Sequence, residues 1–205
     1  MELIWNGHSC FTLLTSQGSL VLDPYRDGSV PGLAPLRLTA DAVLCSHGHG
    51  DHGAAELVTL TGSAPSFQVE ELAAFHDDRQ GALRGPNTIH IISAERMRVA
   101  HLGDLGCSLT PEQTGRLTGL DALLIPVGGY YTIDAAQAHA LVQALGPRVV
   151  VPMHYRGAGF GYDVIGPVED FLALQDQVVR YPGSKLTLTP DTPAQTAVLT
   201  CCNLA

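Results

Sequence analysis

Short apolar runs alternate along the chain with turn-forming punctuation, and helical spacing is confined to a few places. Residues 10–15 and 19–22 are apolar or β-branched and flank Gln17 and Gly18, which predicts a β-hairpin. Residues 25–38, with Gly28, Pro31, Gly32 and Pro35, predict a loop, and the run Ala42, Val43, Leu44, Cys45 predicts a buried strand behind it. A short helix is expected over 54–60, a strand over 66–70, and two strands over 88–92 and 97–102 joined by a polar turn.

Thr110, Pro111, Glu112 and Gln113 combine an N-cap, a proline at the first helical position and a glutamine that closes a capping box. Residues 121–127 form a near-continuous apolar strand ending in Gly128 and Gly129. Asp134 with Gln137 repeats the capping signal. Ala138, Leu141, Val142 and Leu145 then mark one helical face before Gly146 and Pro147 end it. A buried strand over 149–151 delivers Met153 and His154. Gly166 and Pro167 open a third helix expected to carry Val168, Phe171, Leu172, Val178 and Val179 on one face. Residues 185–189 and 196–200 alternate as C-terminal strands. Two mixed β-sheets flanked by helices accommodate this order, an α/β fold, and with no repeat or linker in view residues 1–205 are expected to form a single domain.

Composition narrows the function classes. A hydrophobic share of 45% and a charged share of 15% fit a chain with a sizeable core and argue against disorder. The formal net charge of −9, with only 11 Lys and Arg, excludes an electrostatically driven nucleic-acid binder, because phosphate binding needs clustered cations. Five cysteines, with Cys201 and Cys202 adjacent, give no disulfide framework and predict a reducing setting. No apolar run has the length of a membrane span and no basic-then-apolar leader precedes Cys10, so the expectation is a soluble cytoplasmic protein acting on a small molecule.

The candidate chemistry sits in His47-Gly48-His49-Gly50-Asp51-His52, three imidazoles and a carboxylate directly after the 42–45 strand. His47, His49 and Asp51 share one parity and His52 breaks it, so a turning backbone can aim one pair of donors at one point and the second pair at another. Neutral imidazole is the commonest metal ligand and carboxylate a harder partner, a mixture suited to zinc, manganese or iron. Elsewhere apolar strands repeatedly end in a metal-capable residue: Asp23, Asp104 and His154. Strand ends on one sheet edge lie close in space and can meet the cluster. His8, His76, His90, His101 and His139 are further candidate donors, of which His139 falls on a helix and reads as solvent-facing.

These motifs, with Leu22-Asp23-Pro24 upstream, Gly103-Asp104 in the middle and Pro152-Met153-His154-Tyr155 near the end, resemble the metallo-β-lactamase superfamily, and more narrowly its short ascorbate-6-phosphate-lactonase-like branch of zinc-dependent hydrolases. The resemblance spans roughly residues 1–160 and implies a four-layer αββα sandwich with the metals at one edge of the sheets. It implies His47 and His49 for a first metal, Asp51, His52 and His154 for a second, and Asp104 as a bridging carboxylate. The third histidine of the first metal is His76 by this likeness, with His101 and then His90 as alternatives. Asp23 is implied as a support that hydrogen-bonds the cluster.

The expected activity is hydrolysis by two divalent cations, zinc first and manganese or iron also suited, that share a water and lower its pKa towards ~7. Asp104 would bridge and Asp51 would orient the nucleophile. Tyr130, in Gly128-Gly129-Tyr130-Tyr131, is the candidate oxyanion donor. Arg156, in the glycine-rich stretch after His154, is the candidate contact for an anionic phosphodiester or lactone, with Arg84 as a second. An iron-dependent oxidoreductase on the same scaffold and a metal-binding protein without turnover are the competing readings.

Overall fold

A computed structural model describes residues Met1 to Ala205. Strands β1 (Glu2–Gly7), β2 (Cys10–Thr15), β3 (Gly18–Leu22), β4 (Leu38–Ala40) and β5 (Ala42–Leu44) lead to a single 3-10 turn at Ala55–Leu57 and to β6 (Val58–Leu60). Then come β7 (Gln68–Phe75), β8 (Pro86–Ala94), β9 (Met97–His101), α1 (Pro111–Arg116), β10 (Ala122–Pro126), α2 (Ala135–Leu145) and β11 (Val149–Met153). The chain finishes with α3 (Val168–Leu172), β12 (Val178–Arg180), β13 (Lys185–Thr187) and β14 (Gln195–Val198).

Two mixed sheets form the sandwich. One has the order β13-β1-β2-β3-β5, antiparallel except where β3 pairs with β5; the other runs β12-β14-β11-β10-β9-β8-β7, parallel in its centre and antiparallel at the β7 end. Strands β10 and β11 are buried at every residue, as expected for near-continuous apolar runs in the parallel middle of a sheet covered on both faces. Strand β1 buries Leu3, Trp5 and Gly7 at alternate positions against the same core. One contiguous set of 48 buried apolar residues joins the sheets, with Phe11, Leu13 and Leu22 from one side and Ile89, Val99 and Ile125 from the other.

The two capping boxes form as their sequences predict: Thr110 with Gln113 opens α1, Asp134 with Gln137 opens α2, and Gly146 ends α2 in the left-handed conformation. Two expected elements differ. Residues 54–60 hold only one 3-10 turn before the chain extends into β6, which pairs with β4 as a separate two-stranded ribbon. The third helix stops at Leu172, and Val178 and Val179 belong to the edge strand β12; the apolar spacing that suggested one long face joins a helix and a strand. Strand β1 went unread because its alternation is carried by only Leu3 and Trp5 before Gly7.

Candidate metal centre

Six loops at one edge of the sandwich bring the candidate donors together. The first sheet contributes His8 from the turn between β1 and β2, Asp23 after β3, and residues 46–52 after β5. The second contributes His76 directly after β7, Asp104 after β9 and His154 directly after β11. Several of these positions need unusual backbone: His8, Asp23 and His154 all have positive φ, near +50°. Gly106 is required for a different reason, since a Cβ there would collide with the backbone of His76, whose strand end packs against the chain leaving Asp104.

Asp23 is the platform under the His cluster. Its carboxylate accepts from the Ser46 backbone N–H at 2.6 Å, the Ser46 hydroxyl at 2.6 Å and His52 Nδ1 at 2.7 Å. Burial works to raise this carboxyl, but His101 and His52 and these hydrogen bonds hold it down at about 2. The Ser46 hydroxyl, having given its proton to Asp23, accepts from His47 Nδ1 at 3.0 Å, and His76 Nδ1 donates to the Tyr131 carbonyl at 3.2 Å. Three imidazoles thus have Nδ1 engaged, which leaves Nε2 of each free to point inwards.

Asp104 receives them. Its carboxylate lies 3.1 Å from His52 Nε2, 3.1 Å from His76 Nε2, 3.3 Å from His154 Nε2 and 3.9 Å from His47 Nε2. Burial opposes its charge, yet His154 and His52 hold the carboxyl well below the usual range. Donor atoms gather in three overlapping sets, each within 4.8 Å: His47, His49 and His76; His47, His52 and Asp104; and His8, Asp51, His52 and His154. Buried donors with no hydrogen-bond partner concentrate here, namely both ring nitrogens of His8 and His154, Nε2 of His47 and His52, and Oδ1 of Asp104. So many unpaired buried polar atoms facing one another would be costly without a cation between them, so the donor set fits a metal.

A cleft of about 330 Å³ opens at the donors and is lined by His49, Asp51, His76 and Asp104 together with Leu83, Arg84, Tyr131 and Tyr162. Arg84 is held in place: its guanidinium donates to the Tyr130 carbonyl at 3.1 Å and its Cζ lies 5.6 Å from the centre of the Tyr131 ring. The loop that carries it is knotted by Asp77, whose two carboxylate oxygens accept from the backbone N–H groups of Arg79, Gly81, Leu83 and Arg84 at 2.8–3.0 Å. Tyr162 places its hydroxyl 2.8 Å from the Ser29 carbonyl and 3.2 Å from Asp51 Oδ2.

All seven expected ligands, His47, His49, Asp51, His52, His76, Asp104 and His154, therefore meet at this edge. The alternatives to His76 do not reach it: His101 uses both ring nitrogens, on the Ser9 carbonyl at 2.8 Å and the Gly103 N–H at 3.1 Å, and His90 sits in β8 opposite Glu71. His139 lies on α2 beside Gln175. Two expected site residues are misplaced. Tyr130 is 65% exposed and faces away from the cleft lining, because the chain turns at positive φ there and presents Tyr131 instead. Arg156 is exposed and pairs through its backbone with the Gly166 carbonyl, outside the cleft, where Arg84 stands as the cation. His8 is a candidate donor to which the sequence assigns no place, because the strand β1 that sets its turn carries too little alternation to read. Tyr162 gave no signal beyond its glycine-rich loop.

Comparison with known proteins identifies the family. A family model described as a β-lactamase superfamily domain matches residues 2–154. The chain is similar to a metal-dependent hydrolase of Methanoregula boonei, 31% identical over 76% of this chain and 82% of that one, and to one of Thermoplasma acidophilum, 28% identical over 88% and 93%. Among solved structures it is similar to a Thermotoga maritima protein assigned to the Zn-dependent hydrolases of the metallo-β-lactamase superfamily, with a TM-score of 0.78, 32% identity and 97% of each chain covered.

Proposed function

Because the chain belongs to the β-lactamase superfamily, we propose that it is a metal-dependent hydrolase that uses two divalent cations on a small anionic ester, a phosphodiester or a lactone bearing a phosphate. The observation that carries this reading is the cleft itself, where the donors His49, Asp51, His76 and Asp104 share a lining of about 330 Å³ with the cation Arg84. His47, His49 and His76 would hold one cation and Asp51, His52 and His154 the other, with Asp104 between them. Cations held there supply a water of lowered pKa and polarise the ester, and the mixed nitrogen and oxygen donors suit zinc, with manganese and iron close behind.

The chain's own groups do the rest. Arg84, fixed over Tyr131, pairs with the anionic part of the substrate and orients the scissile bond towards Asp104. Tyr162 donates to Asp51 and fixes that carboxylate in the lining of the cleft. Tyr131 and Leu83 give the wall an apolar surface against which a compact acyl or sugar group packs. No serine or cysteine nucleophile is needed, and Cys10, Cys45 and Cys107 have thiols pushed up by burial. All five cysteines are free thiols.

The test is metal analysis of the chain purified without added metal, followed by a panel of phosphodiesters, lactones and thioesters. Two zinc or manganese ions per chain with turnover of an anionic ester supports the proposal. Iron with redox turnover and no hydrolysis would replace it with the oxidoreductase.

A further inference from the structure

The structure assigns one more donor to this centre: we propose that His8 completes a closed site with Asp51, His52 and His154, so that one cation is enclosed by protein while the cation at His47, His49 and His76 keeps its open side towards the cleft. This rests on the reading that the centre holds two cations.

His8 occupies the two-residue turn between β1 and β2, at a φ of +52° in the left-handed region that few non-glycine residues adopt and where Asn, Asp and His predominate. The turn is clamped in that shape, because the His8 carbonyl accepts from the Trp5 indole at 2.9 Å and from the His154 backbone N–H at 3.3 Å. The clamp ties the His8 and His154 backbones together and sets their rings 4.2 Å apart. Strain of this kind persists where the surrounding structure imposes it, and here it aims an imidazole into the cluster.

The ring is fully buried and neither nitrogen has a hydrogen-bond partner. A buried histidine with a structural role satisfies at least one nitrogen, as His101 does a few ångströms away with Ser9 and Gly103. His8 Nε2 lies 3.4 Å from Asp51 Oδ2, and four donors at about 2.0–2.1 Å from a tetrahedral zinc are separated by edges of about 3.4 Å. Three imidazoles and one carboxylate, closed in this way, match the four-ligand cages of cations retained by protein alone; the trio His47, His49 and His76 matches the three-ligand plan of a cation that keeps a position for water or substrate. His8 would therefore set which cation is permanent and which exchanges.

The probe is zinc alone, added to the metal-free full-length chain, with stoichiometry and affinity read by chelator competition. His8→Asn and His8→Gly both tolerate the positive φ of the turn, so the fold is kept. The expected result is two zinc ions per wild-type chain, one held much more tightly than the other. In either variant the tight step should weaken by at least about 100-fold while the weaker step is unchanged, and free imidazole added to His8→Gly should restore it. A purely supportive His8 would also weaken binding, so a second readout uses the unmutated chain loaded with isotope-labelled cadmium, where scalar coupling between the metal and a His8 ring nitrogen is expected in NMR spectra. Unchanged tight binding in both variants, or coupling to His52 and His154 without coupling to His8, would overturn the assignment. A wild-type chain that binds no zinc overturns the two-cation reading together with it. A chain that binds two zinc ions and hydrolyses nothing overturns the proposed activity and leaves His8 in place.

Discussion

His47, His49 and His76 meet beside an open cleft, with His49 exposed, whereas His8, Asp51, His52 and His154 meet with every imidazole buried and only Asp51 reaching the cleft lining. Both groups draw on the same residue types. Both draw on the loop after β5, and what separates them is the rest: the open group is completed by His76 at the end of β7, while the enclosed group is completed by a clamped hairpin turn and the end of the interior strand β11, with Asp23 holding His52. Enclosure suits retention of a cation and openness suits exchange of ligands upon it, so two sides of one cluster can divide the work of holding and reacting.

The substitution expected to do most is Asp104→Ala, since this carboxylate alone touches both groups. Hydrolysis should fall by about 10³-fold or more, with metal content reduced on both sides; turnover within tenfold of wild type would remove Asp104 from the mechanism. His49→Ala sharpens the comparison further. It should lower turnover by about 10²-fold or more and remove one metal while the other stays through dialysis, and loss of both metals together would show that the two sides are not independent.

The enclosed side should also reveal itself by pH. In the metal-free chain burial opposes a charge on His52, but Asp104 and Asp23 raise its pKa well above 6.5, so it keeps a proton at neutral pH. A cation must expel that proton from Nε2, so apparent affinity rises with pH, by about tenfold per unit while His52 remains protonated, and falls as the solution is acidified. His47 and His8, held down at about 3 and about 4 by burial and by neighbouring histidines, already lack the proton above those values and add nothing to this release. Calorimetric titrations in buffers of different ionisation enthalpy count the proton directly; a pH-independent affinity would contradict the sign worked out here.

The smallest effects are expected on the substrate wall. Arg84→Ala should raise KM for anionic esters by about tenfold with little change in kcat, and leave a neutral ester unaffected. Tyr130→Phe should change either constant by less than about twofold, because its side chain is exposed outside the cleft lining and only its carbonyl is used, by Arg84. A large effect at Tyr130 would mean that the cleft closes over substrate in a way that turns this loop inward.

Much of the fold was readable because its signals are local. The hairpin of β2 and β3, both capping boxes and the apolar interior strands β10 and β11 depend on residues within a few positions of one another. The same holds for the ligand motif: strand ends that terminate in His or Asp gave His47, Asp104 and His154, and a resemblance to a known family placed His76. Errors arose where a local pattern admits two structures. The 54–60 segment carries helix-compatible residues yet extends to pair with β4, and Val178 and Val179 continue a helical spacing that ends at Leu172.

The sequence by itself determined which residues can bind a metal and that they lie at strand ends. The order of strands in each sheet decided which of those ends meet. His101 and His8 have equal standing as letters, but the pairing of β9 with β8 and β10 leaves His101 satisfied by Ser9 and Gly103, while the β1–β2 turn carries His8 unpaired into the cluster. Tyr130 and Tyr131 are neighbours in sequence, and a single positive φ sends one to solvent and the other to the cleft. Periodicity reports which face a residue takes within its own element; convergence of side chains from six loops depends on sheet order, turn conformation and backbone strain, which are set by contacts far apart in the chain.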